Sequence, residues 1–317
     1  MKKQILCLGF YGHQNEGDEL FKLAFEELFP DYTFTFTDHL TLELFEGKDA
    51  LFIGGGSFLN QDLETDFRIM DLLNIVKTIP ILYIGVGLET ELGKNHSFLL
   101  RSAKLVAYRS NYSNNHNILE DKLLKIPDLV HSLPIHKSER YDKKVLILPN
   151  VSVLPNHSSP SWLTASWENF KNQFAQFLDI LVESKYSLKF HAMSWNDIDN
   201  DKFPAYQIVS MMKNRDNDYL ENDHQADGFR YSNISSYSHV ITQRYHGIVL
   251  AEMTNTPYIS IYHHEKLNVP GALNYYEVSK HRLIDSFNSL KEPNVYIDFN
   301  AFDELKKRVN VILSSNE

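Results

Sequence analysis

The chain has 317 residues, a formal net charge of −10, and is 43% hydrophobic and 13% aromatic. This length suits two domains of ordinary size, and this composition can build proper cores. The acidic balance, with no basic stripe, argues against nucleic acid as a partner, and the longest apolar run, around Ile79 to Leu88, is too short to cross a bilayer.

Met1-Lys-Lys3 ahead of apolar residues is only superficially leader-like. The apolar run ends by His13 in a glycine-rich loop and offers no small-residue cleavage pattern, so a secretory leader is rejected. Lys3 to Leu8 reads as a strand. Its Cys7 is the single cysteine and reads as a small core residue, in keeping with a reducing, cytoplasmic compartment. The loop Gly9-Phe-Tyr-Gly-His-Gln-Asn-Glu-Gly-Asp-Glu19 follows, then a helix from Leu20 to Phe29, with Asp18 placed as its N-cap. Gly9, Gly12 and Gly17 allow tight turns and close approach of a ligand to the backbone. The spacing is not GxGxxG, and no GxxxxGK[ST] occurs, so neither a dinucleotide nor a Walker-type phosphate site is expected.

Tyr32 to Thr37 and Ala50 to Ile53 read as strands, and Gly54-Gly-Gly-Ser57 follows the second. Three glycines after a buried strand are either loop slack or a place where something approaches the backbone closely. A phosphate or sugar-phosphate cradle, with Ser57 adding a hydroxyl, is the preferred reading. Phe67 to Thr78 is a predicted helix with Ile69, Leu72, Leu73 and Val76 on one face, and Ile81 to Gly85 and Leu105 to Tyr108 are further buried strands. This rhythm implies a parallel sheet covered by helices. Arg109 follows the last of these strands and serves either a ligand or a surface salt bridge. His131, after Pro127-Asp128, is equally open.

The polar stretch Ile135 to Lys143 reads as a linker. Beyond it the rhythm resumes with a strand at Lys144 to Leu148 and a loop at Asn150 to Ser161. A helix from Trp167 to Ser184 carries Trp167, Phe170, Phe174, Phe177 and Leu181 on one stripe, and a strand follows at Leu188 to His191. His239 to Thr242 is a strand, Ile248 to Met253 a helix and Tyr258 to Ile261 another strand. Asn300 to Ser314 is a final helix with Phe302, Leu305, Val309 and Ile312 on one side. The domain boundaries expected from this are 1–138, 139–299 and a terminal helix at 300–317.

The most informative stretch is Gln243-Arg244-Tyr245-His246-Gly247, where a strand hands over to a helix. In open α/β sheets such turns lie at the carboxyl edge, where ligands bind, and a helix start adds free N–H groups and partial positive charge. Arg244 supplies a bidentate cation and His246 a group that titrates near neutrality, so an anion could be held there for proton chemistry. The pair His263-His264 suggests a metal, but no cysteine or carboxylate cluster at ligand spacing supports it, and no metal or cofactor is expected.

Four motifs in order resemble the polysaccharide pyruvyl transferase family: Gly9 to Glu19, Gly54 to Ser57, Ile84-Gly-Val-Gly87, and Arg244-Tyr-His-Gly247 with its Pro257 and Lys266 tail. The resemblance covers roughly residues 4 to 266. It implies an α/β, GT-B-like fold of two Rossmann-like lobes whose parallel sheets face a central cleft, the N-terminal lobe on the acceptor side and the C-terminal lobe on the donor side. It implies transfer of pyruvate from phosphoenolpyruvate to two hydroxyls of a sugar, forming a cyclic ketal and releasing phosphate. The acceptor would be a glycan precursor, lipid-linked at the inner face of the membrane in one version, which allows a peripheral membrane contact. The implied catalytic set is His246, Arg244 and Asp18. The implied substrate-binding set is Gly12, Asn15, Gly17, Glu19, Gly54, Gly55, Gly56, Ser57, Arg109, Gly247 and Lys266, with Asp18 or Glu19 as base. Lys266 meets an anion or simply solvent.

One departure stands out. Family members often carry an arginine after the first strand of the second lobe, where this chain has Pro149 and Asn150. Either Arg109 or Lys266 compensates, or the donor differs, or activity has been lost; a nucleotide-sugar glycosyltransferase of the same fold is the runner-up reading, and a catalytically silent glycan-binding relative, which the departure supports, is the third. Oligomeric state is not legible in the sequence.

Overall fold

The computed structural model describes residues 2–56, 59, 69–88, 92–109, 118, 120–135, 138–155, 159–196, 200–216, 219–220, 231–263 and 269–315. The chain divides into two compact units, Met1–Leu133 with Tyr296–Glu317, and Pro134–Val295. The terminal helix thus belongs to the first unit. Each unit is an α/β layer structure around a wholly parallel sheet.

The first unit carries β1 (Lys3–Leu8), α1 (Glu16–Leu28), β2 (Tyr32–Thr37), β3 (Ala50–Gly54), α2 (Ile69–Thr78), β4 (Ile81–Val86), α3 (Lys94–Ser102), β5 (Leu105–Tyr108) and β6 (Leu123–Lys125). The strand order is β2-β1-β3-β4-β5-β6. Every residue of β3 and β4 is buried, as a parallel sheet covered on both faces requires. Leu6, Leu8, Leu51, Ile53 and Tyr83 share a core with Leu72 of α2 and Leu99 of α3. On the opposite face Phe34 and Phe52 meet Phe25 of α1 with ring centroids 5.9 and 6.0 Å apart. Cys7 is buried, and that burial pushes its thiol pKa up, which suits an inert core residue.

The second unit carries β7 (Lys144–Leu148), α4 (Ser161–Glu183), β8 (Ser187–Phe190), α5 (Lys202–Met211), β9 (His239–Thr242), α6 (Tyr245–Met253), β10 (Tyr258–Tyr262), β11 (Leu273–Asn274) and α7 (Lys280–Asn288). Its order is β11-β10-β9-β7-β8. The aromatic stripe of α4, from Trp167 to Leu181, is buried against Val145, Ile147, Ile241 and Ile261. Burying each of those large side chains contributes roughly 1.5–3 kcal/mol. The last helix, α8 (Asn300–Ser314), packs on β5 and β6 of the first unit through a face that includes Phe302, Leu305 and Val309.

The strand orders decide where ligands belong. In the first sheet the chain reverses direction of travel between β1 and β3, and in the second between β7 and β9. These are the topological switch points, where the connecting loops diverge and leave a crevice at the carboxyl edge. The loops after β1 and β3 contain Gly9 to Asn15 and Gly55 and Gly56, the loop after β7 contains Asn150, and the turn after β9 contains Gln243 and Arg244, with His246 in the first turn of α6.

Candidate functional site

At the switch point of the second unit, the hydroxyl of Thr242 shapes the turn out of β9. It accepts from the Arg244 N–H and donates to the Arg244 carbonyl, both at 2.9 Å. Arg244 occupies the N-cap position of α6 without a side-chain cap, so the helix opens three residues earlier than its apolar run suggests. Gly247 lets the helix settle on that turn. A Cβ there would stand 2.3 Å from Thr242 Oγ1 and 2.7 Å from Leu148 Cδ1. Tight packing therefore accounts for a glycine that sequence reasoning assigned to substrate.

The guanidinium of Arg244 is gripped by a residue that sequence reasoning missed. Its Nε donates to Asp201 Oδ2 at 2.9 Å and its Nη2 to Asp201 Oδ1. The same carboxylate, fully buried, accepts the Val151 N–H at 2.9 Å and the Ser194 N–H at 3.0 Å. Asp201 thus gathers the segments that follow β7, β8 and β9 and fixes the plane of Arg244. One bidentate edge of the guanidinium is spent on protein. An anion would meet the group from another direction than a simple fork-to-carboxylate picture suggests.

Asn150, standing where an arginine was expected, is a structural tie. Its Nδ2 donates to the Gln243 carbonyl at 3.2 Å and its Oδ1 accepts the Ser152 N–H at 2.8 Å, capping a short 3-10 turn. His246 lies half-buried in the first turn of α6, its ring edge-on to Tyr245 at 5.5 Å. His263 follows β10 and bonds Ser152 Oγ at 3.1 Å. Lys266 and His264 lie outside the described residues, as does Ser57 of the first unit.

At the switch point of the first unit, Tyr11 is buried and donates its hydroxyl to the Gly54 carbonyl at 2.7 Å, locking the loop after β1 to the end of β3. Asn15, not Asp18, caps α1. Its Oδ1 accepts the Gly17 N–H at 3.1 Å, which places Asp18 inside the first turn rather than at its head. The reason is the loop path: Asn15 is still extended, with φ −106° and ψ 106°, and helical bonds begin at once after it. Glu19 has both oxygens engaged, Oε1 with the Gly12 N–H at 2.6 Å and Oε2 with Lys22 at 2.5 Å. The glycine that ends β3 and the two that follow it each meet a close approach of the protein itself. Added Cβ atoms at Gly54, Gly55 and Gly56 would stand 1.9 Å from the Ile84 carbonyl oxygen, 2.7 Å from Phe21 and 2.9 Å from Asp18 Oδ1.

Arg109 forms an ion pair with Asp128 in the interior rather than at the surface, with side chains 5% and 1% exposed. Asp128 also takes the Val130 N–H at 3.0 Å, and the guanidinium carbon of Arg109 lies 5.6 Å from the Phe21 ring centroid. His131 is buried beside this pair. Burial pulls its pKa below the usual histidine value, and the Asp128 charge only partly offsets that.

The two helix starts differ in charge. The first turn of α1 carries Glu16, Asp18 and Glu19, which already answer the helix dipole. The first turn of α6 carries no acidic residue and has Arg244 at its head. The start of α6 is therefore the more electropositive of the two. Among the described residues no group of three or more histidine, cysteine, aspartate or glutamate side chains could hold a metal ion. Among the same residues no helix is long and apolar enough to cross a membrane.

Comparison with known proteins bears on this arrangement. The family model described as polysaccharide pyruvyl transferase matches residues 15–265. A search of curated proteins finds no match. Among solved structures, the UDP-GlcNAc 2-epimerase of Methanocaldococcus jannaschii, in complex with UDP-GlcNAc and UDP, superposes with a TM-score of 0.55 at 11% identity, covering 98% of this chain and 99% of that one. S. aureus MnaA, solved with UDP, gives 0.58 at 12% identity over 98% and 97% of the two chains. The Neisseria meningitidis UDP-GlcNAc 2-epimerase, bound to UDP-GlcNAc, gives 0.54 at 13% over 98% and 100%. Likeness at this level of identity speaks for the fold alone, the α/β GT-B class.

Proposed function

Because the chain belongs to the polysaccharide pyruvyl transferase family, an enzyme family that transfers pyruvate, we propose that it moves pyruvate from phosphoenolpyruvate to two hydroxyls of a sugar in a glycan precursor. The product is a cyclic ketal, and phosphate is released. The observation that carries this reading is the start of α6. A helix N-terminus free of acidic residues, headed by an arginine fixed by Asp201, has a half-buried histidine in its first turn. A small, strongly anionic donor needs both cation and N–H groups, and its chemistry needs an acid.

In this reading Arg244 and the α6 N–H groups hold the donor. His246 gives a proton to the methylene carbon, and the neighbouring carbon becomes electrophilic. A sugar hydroxyl attacks it and loses its proton, phosphate leaves with the bonding pair of its C–O bond, and a second hydroxyl closes the ring with loss of another proton. One proton is consumed at carbon, and of the two released one can leave on phosphate. No cofactor is required.

A nucleotide-sugar donor is the second reading. It is favoured by the solved relatives, three of which hold UDP or UDP-GlcNAc by their descriptions. A thermal-shift comparison separates the two, since a bound ligand stabilises the native state. The expected result is stabilisation by phosphoenolpyruvate and none by UDP-sugars; the reverse order favours the second reading.

A further inference from the structure

We propose that Trp162 and Tyr276 form a docking site for a pyranose ring of a glycan substrate. The site is built from the second unit alone, and it deepens the reading above by naming where a sugar rests. Trp162 lies in the first turn of α4, and Tyr276 lies in the short 3-10 turn that follows β11. Their ring centroids are 6.0 Å apart and their planes are inclined at 55°. Both stay open to solvent, Trp162 at 58% and Tyr276 at 45%. Neither ring belongs to the buried core of this unit. Large aromatic surface left in water beside more of its kind is informative in a way that a lone exposed side chain is not.

The fold puts the pair at the ligand-binding edge of its own sheet. α4 follows β7, and in a parallel sheet the helix after a strand starts at the carboxyl edge and runs back across the face. β11 ends at Asn274, just before the turn that carries Tyr276. The Arg244 turn leaves β9 at this same edge, and β11 lies two strands away, roughly 10 Å across the sheet. The outer ring is also held in place. Tyr276 stands edge-on to Tyr275 at 5.1 Å, and Tyr275, itself buried, packs on Phe170 of α4 at 4.7 Å. The Tyr276 N–H donates to Asn274 Oδ1 at 3.0 Å. Aromatic contacts thus run from the core to the surface and order the site before a ligand arrives, which favours binding.

The geometry favours a sugar. Aromatic faces carry partial negative charge and attract weakly positive hydrogens. One side of a pyranose is a patch of C–H bonds polarised by neighbouring oxygens, while hydroxyls surround its rim. Two inclined rings suit such a puckered body. A flat nucleotide base would need parallel walls with a gap between them, and rings in contact at 6.0 Å leave none. Glu277 follows Tyr276 and pairs with Arg282 at 3.2 Å, both exposed, so the same turn offers a carboxylate and a guanidinium to the hydroxyl rim. Membership of the polysaccharide pyruvyl transferase family makes a glycan the partner at hand. A ring docked on the pair does not react. It holds the glycan, so sugar binding there is expected with or without transfer.

The test titrates the full chain with the methyl pyranosides of glucose, galactose, mannose and N-acetylglucosamine and with cellotriose, maltotriose and chitotriose. Calorimetry and tryptophan fluorescence report binding. At least one sugar should bind saturably and change the tryptophan emission. Trp162→Ala and Tyr276→Ala should each weaken that binding roughly 10-fold, and Trp162→Phe should keep most of it. All three variants should melt as the unaltered protein does, because the rings are exposed. Sugar affinity unchanged in both alanine variants overturns the inference alone, as does binding of none of these sugars. Displacement of the sugar by UDP would make the pair a platform for a base, and self-association in sedimentation that Trp162→Ala abolishes would make it a contact between copies; either result overturns the inference too. Sugar binding that depends on the pair, in a protein that releases no phosphate from phosphoenolpyruvate, keeps the inference and overturns the reading above.

Discussion

A guanidinium bonded to a buried carboxylate keeps its orientation but presents less net charge than a lone arginine. Arg244 is such a group, and Asp201 is its partner. Arg244→Ala is expected to weaken phosphoenolpyruvate binding by about 2–5 kcal/mol, because a desolvated anion loses a charged hydrogen-bond partner. Calorimetric titration checks it, and near-normal affinity places the donor elsewhere. Asp201→Ala removes the hub that also holds the Val151 and Ser194 N–H groups. Leaving the arginine charge unpaired should cost about 3–5 kcal/mol of stability, read in urea unfolding, and should weaken donor binding as well. His246→Gln is expected to fold normally, bind the donor and lose roughly 10²- to 10⁴-fold in turnover. Full turnover in that variant makes His246 structural. At this scale the sequence was legible in the placement of Arg244 and His246 where a strand hands over to a helix. Asp201 closes the run Asn-Asp-Ile-Asp-Asn-Asp, in which no periodicity or motif singles it out. Only the fold reveals that its carboxylate is buried against Arg244.

Elements were legible to the extent that both faces of a strand are buried. β3, β4, β7 and β9 are short apolar runs bounded by turn residues, and the sequence marks them within a residue or so. α3, α5 and α7 left weaker traces. α5 has Pro204 in its first turn and exposes Phe203 and Tyr206, so no clean apolar stripe survives. β6 and β11 have three and two residues. The start of α6 was placed late because its register is set by Thr242 and Gly247 rather than by apolar spacing. Gly247→Ala should therefore lower stability by about 1–3 kcal/mol through overpacking against Thr242 and Leu148. A melting temperature equal to that of the unaltered protein would show that the turn yields freely.

Packing at the end of β5 also makes a pH prediction. The folded-state pKa of His131 lies below the ordinary 6.5 because burial disfavours its charge. His239 is lowered in the same direction, by burial and then by Arg140. The unfolded chain therefore binds more protons than the folded one between those lowered values and about 6.5. Stability should be fully present above about pH 6.5 and fall as pH drops below it. Thermal melts across that range should show the decline, and His131→Gln should reduce its slope. An unchanged slope would mean that other groups carry the dependence.

At the scale of the molecule, alternating strands and helices announced parallel sheets, but nothing in that rhythm states strand order. The order is what gives the motifs their meaning. Both sheets reverse between their first and third strands, and the glycine loops, Asn150 and the Arg244 turn all fall at those reversals. The glycines themselves were legible as special positions, yet their cause is internal close packing as much as any ligand. The charge contrast between α1 and α6 belongs to this scale as well, since it makes the start of α6 the more electropositive of the two. The most direct test of the proposed function is turnover itself. The full chain is incubated with phosphoenolpyruvate and a panel of p-nitrophenyl hexosides, and phosphate and product mass are followed together. The account predicts equimolar phosphate and a hexoside heavier by pyruvate less water. Phosphoenolpyruvate left intact while a UDP-sugar is turned over would contradict it.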